Sequence, residues 1–190
     1  YSVEAVRSLR QQAALHLAET GQPEESISLL RQAEEWTAMA RQIIVLAPAV
    51  LGQGRLATVN GWISSVPKHV LVENPWLRFW HACCRLFIHP SEAQMMFEQV
   101  FEQFVAQKDQ AGALLTWTNV VRCILFQWRG LPRLDPWIER FGSLHPEGAP
   151  YPNSEIEAQV AEAMAGALVW RQPENPATKD WLEKAIFLSD

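Results

Sequence analysis

Three times in this chain an asparagine or aspartate stands directly before a proline: Asn74-Pro75, Asp135-Pro136 and Asn175-Pro176. Such a pair opens a helix. The side-chain oxygen can accept from an otherwise orphaned amide, and proline, which has no amide to satisfy, suits the first helical position. It also closes whatever precedes it, because the residue before a proline is pushed out of the helical region. Between these marks, and between further glycine and proline breaks, apolar residues recur at three- and four-residue spacing. A chain patterned this way folds as a string of helices, each needing a neighbour to cover its apolar stripe.

Taken in order, the spacing predicts ten helices. The first, over 2–20, turns Val6, Leu9, Ala13 and Leu17 inward and stops at Gly21. Pro23, with Glu24 and Glu25 in the first turn, opens the second, whose inner face is Ile27, Leu30 and Ala33; Trp36 plugs the corner. The third runs from about Thr37 to Leu51, with a kink or break expected at Pro48. Gly52 and Gly54 turn the chain into a short fourth helix carrying Leu56, Val59, Trp62 and Ile63, which Pro67 terminates. The fifth, from Pro75 to Ile88, is apolar nearly all round. Ser91 with Gln94 predicts a capping box for the sixth, whose stripe is Phe97, Val100, Phe101 and Phe104. The seventh spans Gln110 to Arg129 and stops at Gly130, and Asp135-Pro136 starts the eighth. A proline- and glycine-rich loop from His145 to Asn153 follows, then an alanine-rich ninth helix opened by Ser154 and Glu157. Asn175-Pro176 starts the tenth, with Trp181, Leu182, Ala185 and Leu188 on one side.

Odd-numbered helices begin roughly 33–44 residues apart, the period of α-α repeats. The opening unit, Leu9 to Trp36, reads as a degenerate tetratricopeptide hairpin: helix, tight turn, helix, with small residues Ala14, Ser26 and Ala33 where two helices would cross. The expected fold is all-α, a right-handed superhelix of about ten antiparallel helices in tetratricopeptide-like hairpins, forming a single domain over 1–190.

Net charge is −5, which opposes a chain-wide attraction to nucleic acid or anionic membrane. No run approaches the roughly 18 apolar residues of a spanning helix. Cys83, Cys84 and Cys123 are too few and too oddly placed for a disulfide framework and read as buried thiols in a reducing cytosol, hence a cytoplasmic protein. Gly52-x-Gly54 lacks the third glycine and the preceding strand of a nucleotide loop. His16, His69, His81, His89 and His145 form no HExxH pattern, and no GxSxG or aspartate-rich cluster is present. The expectation is therefore a binding module, not an enzyme, without metal or cofactor.

One pattern stands out for binding. On the fifth helix Arg78, His81 and Arg85 form a narrow polar stripe; on the seventh Thr118, Arg122 and Arg129 do the same, with Asn119 and Phe126 alongside. Spacings of three, four and seven put each set on one face. If these are consecutive first helices of repeat pairs, they set a basic strip on the concave surface. That strip is either a solvated face whose arginines pair with neighbouring glutamates, or a site that captures a carboxylate, a phosphate or an acidic peptide through arginine forks.

The run Gly54-Arg55, Thr58, Trp62, Pro67 and then Pro75-Trp76-Leu77 resembles the helical-repeat region of the large ATP-dependent LuxR-type transcription regulators. Ala47-Pro48-Ala49, the opening repeat, and Trp181 with Ala185 and Leu188 resemble the same family. The resemblance implies a fragment of a multidomain protein: an N-terminal signalling NTPase domain, a superhelix that senses inducers or proteins and helps control self-association, and in many members a DNA-binding end. This chain resembles the superhelix alone, having no GxxxxGK[ST] loop and no DNA-reading module, so it is not expected to contact nucleic acid itself. The implied role is effector sensing or protein interaction in a bacterial signal-transducing regulator, with a protein partner or small effector in the concave groove. A stand-alone adaptor that binds a protein segment there is the alternative.

Overall fold

The computed structural model describes residues 3–189. They form eleven α-helices: α1 (Val3–Glu19), α2 (Pro23–Gln32), α3 (Trp36–Gly52), α4 (Leu56–Ser64), α5 (Lys68–Glu73), α6 (Pro75–Cys83), α7 (Pro90–Gln107), α8 (Gln110–Gln127), α9 (Asp135–Leu144), α10 (Ser154–Arg171) and α11 (Ala177–Phe187), with a 3-10 turn at Leu131–Leu134 before α9. No strand occurs among the described residues. The chain divides into two compact units, Tyr1–Cys84 and Arg85–Asp190.

In the first unit α1 and α2 form a hairpin around Gly21, whose φ of +79° only glycine adopts cheaply. α3 packs on α2 and on α4, and α6 packs on α3, α4 and α5. Ala14, Ile27, Met39, Ile43, Val59, Ile63 and Leu77 bury themselves in one core. Ion pairs Arg7–Glu35 and Arg55–Glu24 tie the outside of the hairpins together.

In the second unit α7 and α8 form an antiparallel hairpin. Lys108 takes the left-handed conformation, and Asp109 caps α8 by accepting from the Gly112 amide at 2.8 Å. α8 and α10 run parallel: Arg122 pairs with Glu162 at 2.6 Å, Leu125 faces Gly166, and Trp128 meets Trp170 edge-on at 5.2 Å, both numbers rising together. α11 returns along α10, with Lys184 on Glu157 at 2.7 Å. α9 slots Trp137 and Phe141 beneath them, and the buried Trp117 indole donates to the Trp137 carbonyl at 2.8 Å.

Several boundaries differ from expectation. There are eleven helices, not ten, because the Lys68–Glu73 link between Pro67 and Asn74-Pro75 is itself helical. α3 continues through Pro48, whose ring lies on the exposed side while Ile43, Ala47 and Val50 carry the buried stripe past it. α6 ends at Cys83 rather than Ile88, the chain turning ahead of Pro90. α1 buries Ala14, and Leu9 is exposed. Three of the expected caps are displaced by better partners. Proline at the first position starts α7 one residue before Ser91, whose hydroxyl instead donates to Gln127. Asp135 gives both carboxylate oxygens to Arg171, at 2.9 and 2.6 Å. Asn153, not Ser154, caps α10.

Gly112 marks a tight approach: a β-carbon there would lie 2.4–2.6 Å from three ring carbons of the buried Phe104. We expect Gly112→Ala to lose about 1–2 kcal/mol in urea denaturation, overpacking outweighing the helix-propensity gain.

Candidate functional site

The first helices of the first two hairpins, α1 and α3, face each other across a groove. Gln11, Leu15 and Ala18 line it from α1, and Ala38, Arg41, Gln42 and Val45 from α3. Both sets follow helical spacing, so each is one continuous face. Leu30 of α2 forms the floor, and the space measures about 510 Å³. Leu15 and Val45 are 66% and 76% exposed, although both are aliphatic.

A buried hydroxyl holds the groove open at a fixed width. Ser26, fully buried on α2, donates to the Ala14 carbonyl of α1 and accepts from Gln42 Nε2 of α3 at 2.7 Å. One serine thus links three helices, and it orients the Gln42 amide that lines the groove. Arg41 supplies the only charge in the lining. No carboxylate lies within ion-pairing distance of it among the described residues, whereas Arg7, Arg55, Arg85, Arg122, Arg140 and Arg171 each hold one.

The residues singled out from sequence are distributed differently. Arg78 and His81 are half-buried in the first unit; Arg85, Thr118, Arg122 and Arg129 belong to the second. Arg85 lies beyond the end of α6 and pairs with Glu92 at 3.1 Å. Arg122 pairs with Glu162, Arg129 is exposed, and Thr118 is fully buried instead of lying on a polar stripe. The Thr118 hydroxyl has no hydrogen-bond partner among the described residues. Asn119 spends its amide on the Leu115 carbonyl of its own helix. Sequence reasoning missed Leu15, Arg41, Gln42 and Val45. The available signal was an aliphatic residue outside the buried stripe on each of two consecutive first helices.

The second unit holds a cleft of about 400 Å³ at the α7–α8 turn, lined by Phe104, Lys108, Gln110, Arg140 and Ser143 among others. Arg140 there is already committed to Glu102 and lies over the Phe101 and Trp137 rings. Nearby, His145 is buried against Tyr151, with ring centres 4.0 Å apart. Lys184 sits over the Tyr151 and Trp181 rings. Burial first, then the Lys184 charge, holds His145 below its usual pKa, while hydrogen bonding to Ala149 and the Glu157 charge oppose this. Burial pushes the Tyr151 phenol up to about 12. A neutral imidazole stacked on an un-ionised phenol clamps the 145–153 loop and offers no charged nucleophile. Burial likewise raises the Cys123 thiol to about 12, so it is inert. No cluster of three or more metal-ligating side chains, and no helix long and apolar enough to cross a membrane, occurs among the described residues.

No family model matches the chain, and neither a curated protein nor a solved structure matches it.

Two measurements check this description. Ser26→Ala should cost about 1–3 kcal/mol by removing the hydroxyl that joins α1, α2 and α3 and leaving the Gln42 amide without that partner, and should speed hydrogen exchange in α1. His145 has a depressed pKa in the fold, so its contribution is complete above the unfolded value of about 6.5 and is lost as pH falls through the folded value. Urea stability should therefore drop between pH 7.5 and 5, and His145→Gln should flatten that slope.

Proposed function

We propose that this chain is the effector-sensing or protein-interaction segment of a signal-transducing, ATPase-type transcription regulator, and that its groove between α1 and α3 receives the signal. The observation that carries this reading is that groove: two first helices of successive hairpins present a concave aliphatic face where solvent-exposed polar residues would be the default. Hairpin pairing within each unit, and the parallel run of α8 and α10, support the tetratricopeptide-like reading, which implies a right-handed superhelix of such pairs and a cytoplasmic setting.

In this reading the mechanism is a population shift. A ligand that binds one spacing of α1 and α3 better than another biases the array, and segments outside this chain read the bias. ATP hydrolysis and DNA binding belong to those segments. A stand-alone adaptor would use the same groove without transcriptional output.

The test is a thermal-shift screen of the chain against sugars, organic acids, phosphorylated metabolites and helical peptides, run in parallel on Val45→Asp. Val45 is exposed, so that variant should melt within about 2 °C of the parent. One ligand class should stabilise the parent saturably, by about 2–3 kcal/mol at a hundredfold excess over Kd, and should leave the variant unmoved. A flat screen, or a stabilisation that Val45→Asp does not abolish, would overturn the assignment to this groove.

A further inference from the structure

We infer that the occupant of the α1–α3 groove is an amphipathic helix of a partner protein whose apolar stripe is flanked by a carboxylate, and that Arg41 reads that carboxylate. The inference rests on the groove being the binding site and adds the chemistry of what fills it.

Shape selects a helix over a small molecule. Drug-sized ligands are buried by 70–90% or so in their sites. The walls here end in Leu15 and Val45, 66% and 76% exposed, so a body lying between them keeps one side in solvent, as a docked helix does. The lining from Gln11 to Ala18 covers about two helical turns, some 10 Å. That length matches the apolar contacts at i, i+3 or i+4, and i+7 by which a helix lies in a groove. Leu30 below and the side walls leave a channel for one row of such side chains.

Charge selects the flank. The groove carries one cation and two amides and no carboxylate, on a protein whose net charge is −5. Arg41 has no acid three or four residues away on its own helix; those positions are Thr37, Ala38, Ile44 and Val45. A lone guanidinium beside an aliphatic channel complements an apolar stripe edged by Asp or Glu, and disfavours one edged by Lys. The amide of Gln42, oriented by Ser26, adds a neutral hydrogen-bonding point on the same wall.

The experiment uses three fluorescein-labelled helical 16-residue peptides that share a leucine stripe and differ only in carrying Glu, Gln or Lys beside it. Binding to the full chain is read by anisotropy at low and high salt, with the parent, Arg41→Gln and Val45→Asp. The Glu peptide should bind about three- to fivefold tighter than the Gln peptide, the modest ratio expected of an exposed pair. The Lys peptide should be weakest, and the ratios should shrink as salt rises. Arg41→Gln should bring the Glu and Gln peptides together. Val45→Asp, which places a carboxylate four residues from Arg41, should weaken the Glu and Gln peptides by more than tenfold. Circular dichroism confirms that both variants remain folded, as their exposed positions predict. Equal binding of the Glu and Gln peptides, still lost in Val45→Asp, would overturn the carboxylate reading and leave the groove standing. Binding indifferent to Val45→Asp would overturn both. Stabilisation by free octanoate, with no peptide bound, would also overturn the helix and place a small carboxylic acid in its stead.

Discussion

Helices in this protein come close because small residues let them, and most of what the structure does follows from that closeness. Gly112 allows the Phe104 ring to lie against the first turn of α8, and Gly166 allows Leu125 onto α10. Ala14 and Ser26 play the same part between α1 and α2, with the added requirement that the serine hydroxyl find partners once buried. Close backbones leave little room for side chains between them. The large aliphatic and aromatic residues are displaced to the sides of each contact, where they form either the core or, on α1 and α3, the walls of a groove.

The arginines divide by what they meet. Six of them span from one element to another and end on a carboxylate, which makes them ties between neighbours, although pairs this exposed add little stability each. Arg41 ends on none. What sets Arg41 apart is its place: it is the one cation in the lining of a groove whose walls end in exposed aliphatic side chains. It is the coincidence of the two, and neither alone, that marks the α1–α3 face.

Much of the helical architecture could be read from punctuation. Pro23, Gly21 and Pro75 begin or end helices because proline and glycine limit the backbone locally, whatever packs on it. What could not be read depends on competition between partners. Ser91 could have capped α7, but Pro90 had already set the helix start; Asp135 could have capped α9, but Arg171 offered two hydrogen bonds. α5 has only six residues, too few to show a period. The basic strip illustrates the same limit. Spacing put Arg122 and Arg129 on one face of a helix running to Arg129, yet it could not show that α8 would end at Gln127, that Glu162 on α10 would take up Arg122, or that Thr118 would sit inside the core. The groove was hidden because its residues are ordinary ones, distinguished by exposure alone.

The edge-to-face tryptophans at the ends of α8 and α10 bear on how this protein looks to light. Trp128 and Trp170 lie 5.2 Å apart with their planes at 87°. Two indoles that close and that crossed couple their electronic transitions, and the coupling adds an exciton couplet to the far-ultraviolet dichroism on top of the helix bands. Apparent helix content is therefore a joint reading of backbone and indole pair, and a variant that separated the two rings would seem to change its helicity without unwinding a turn. Substitutions on α1 and α3 lie in the other unit and leave that couplet as an internal constant.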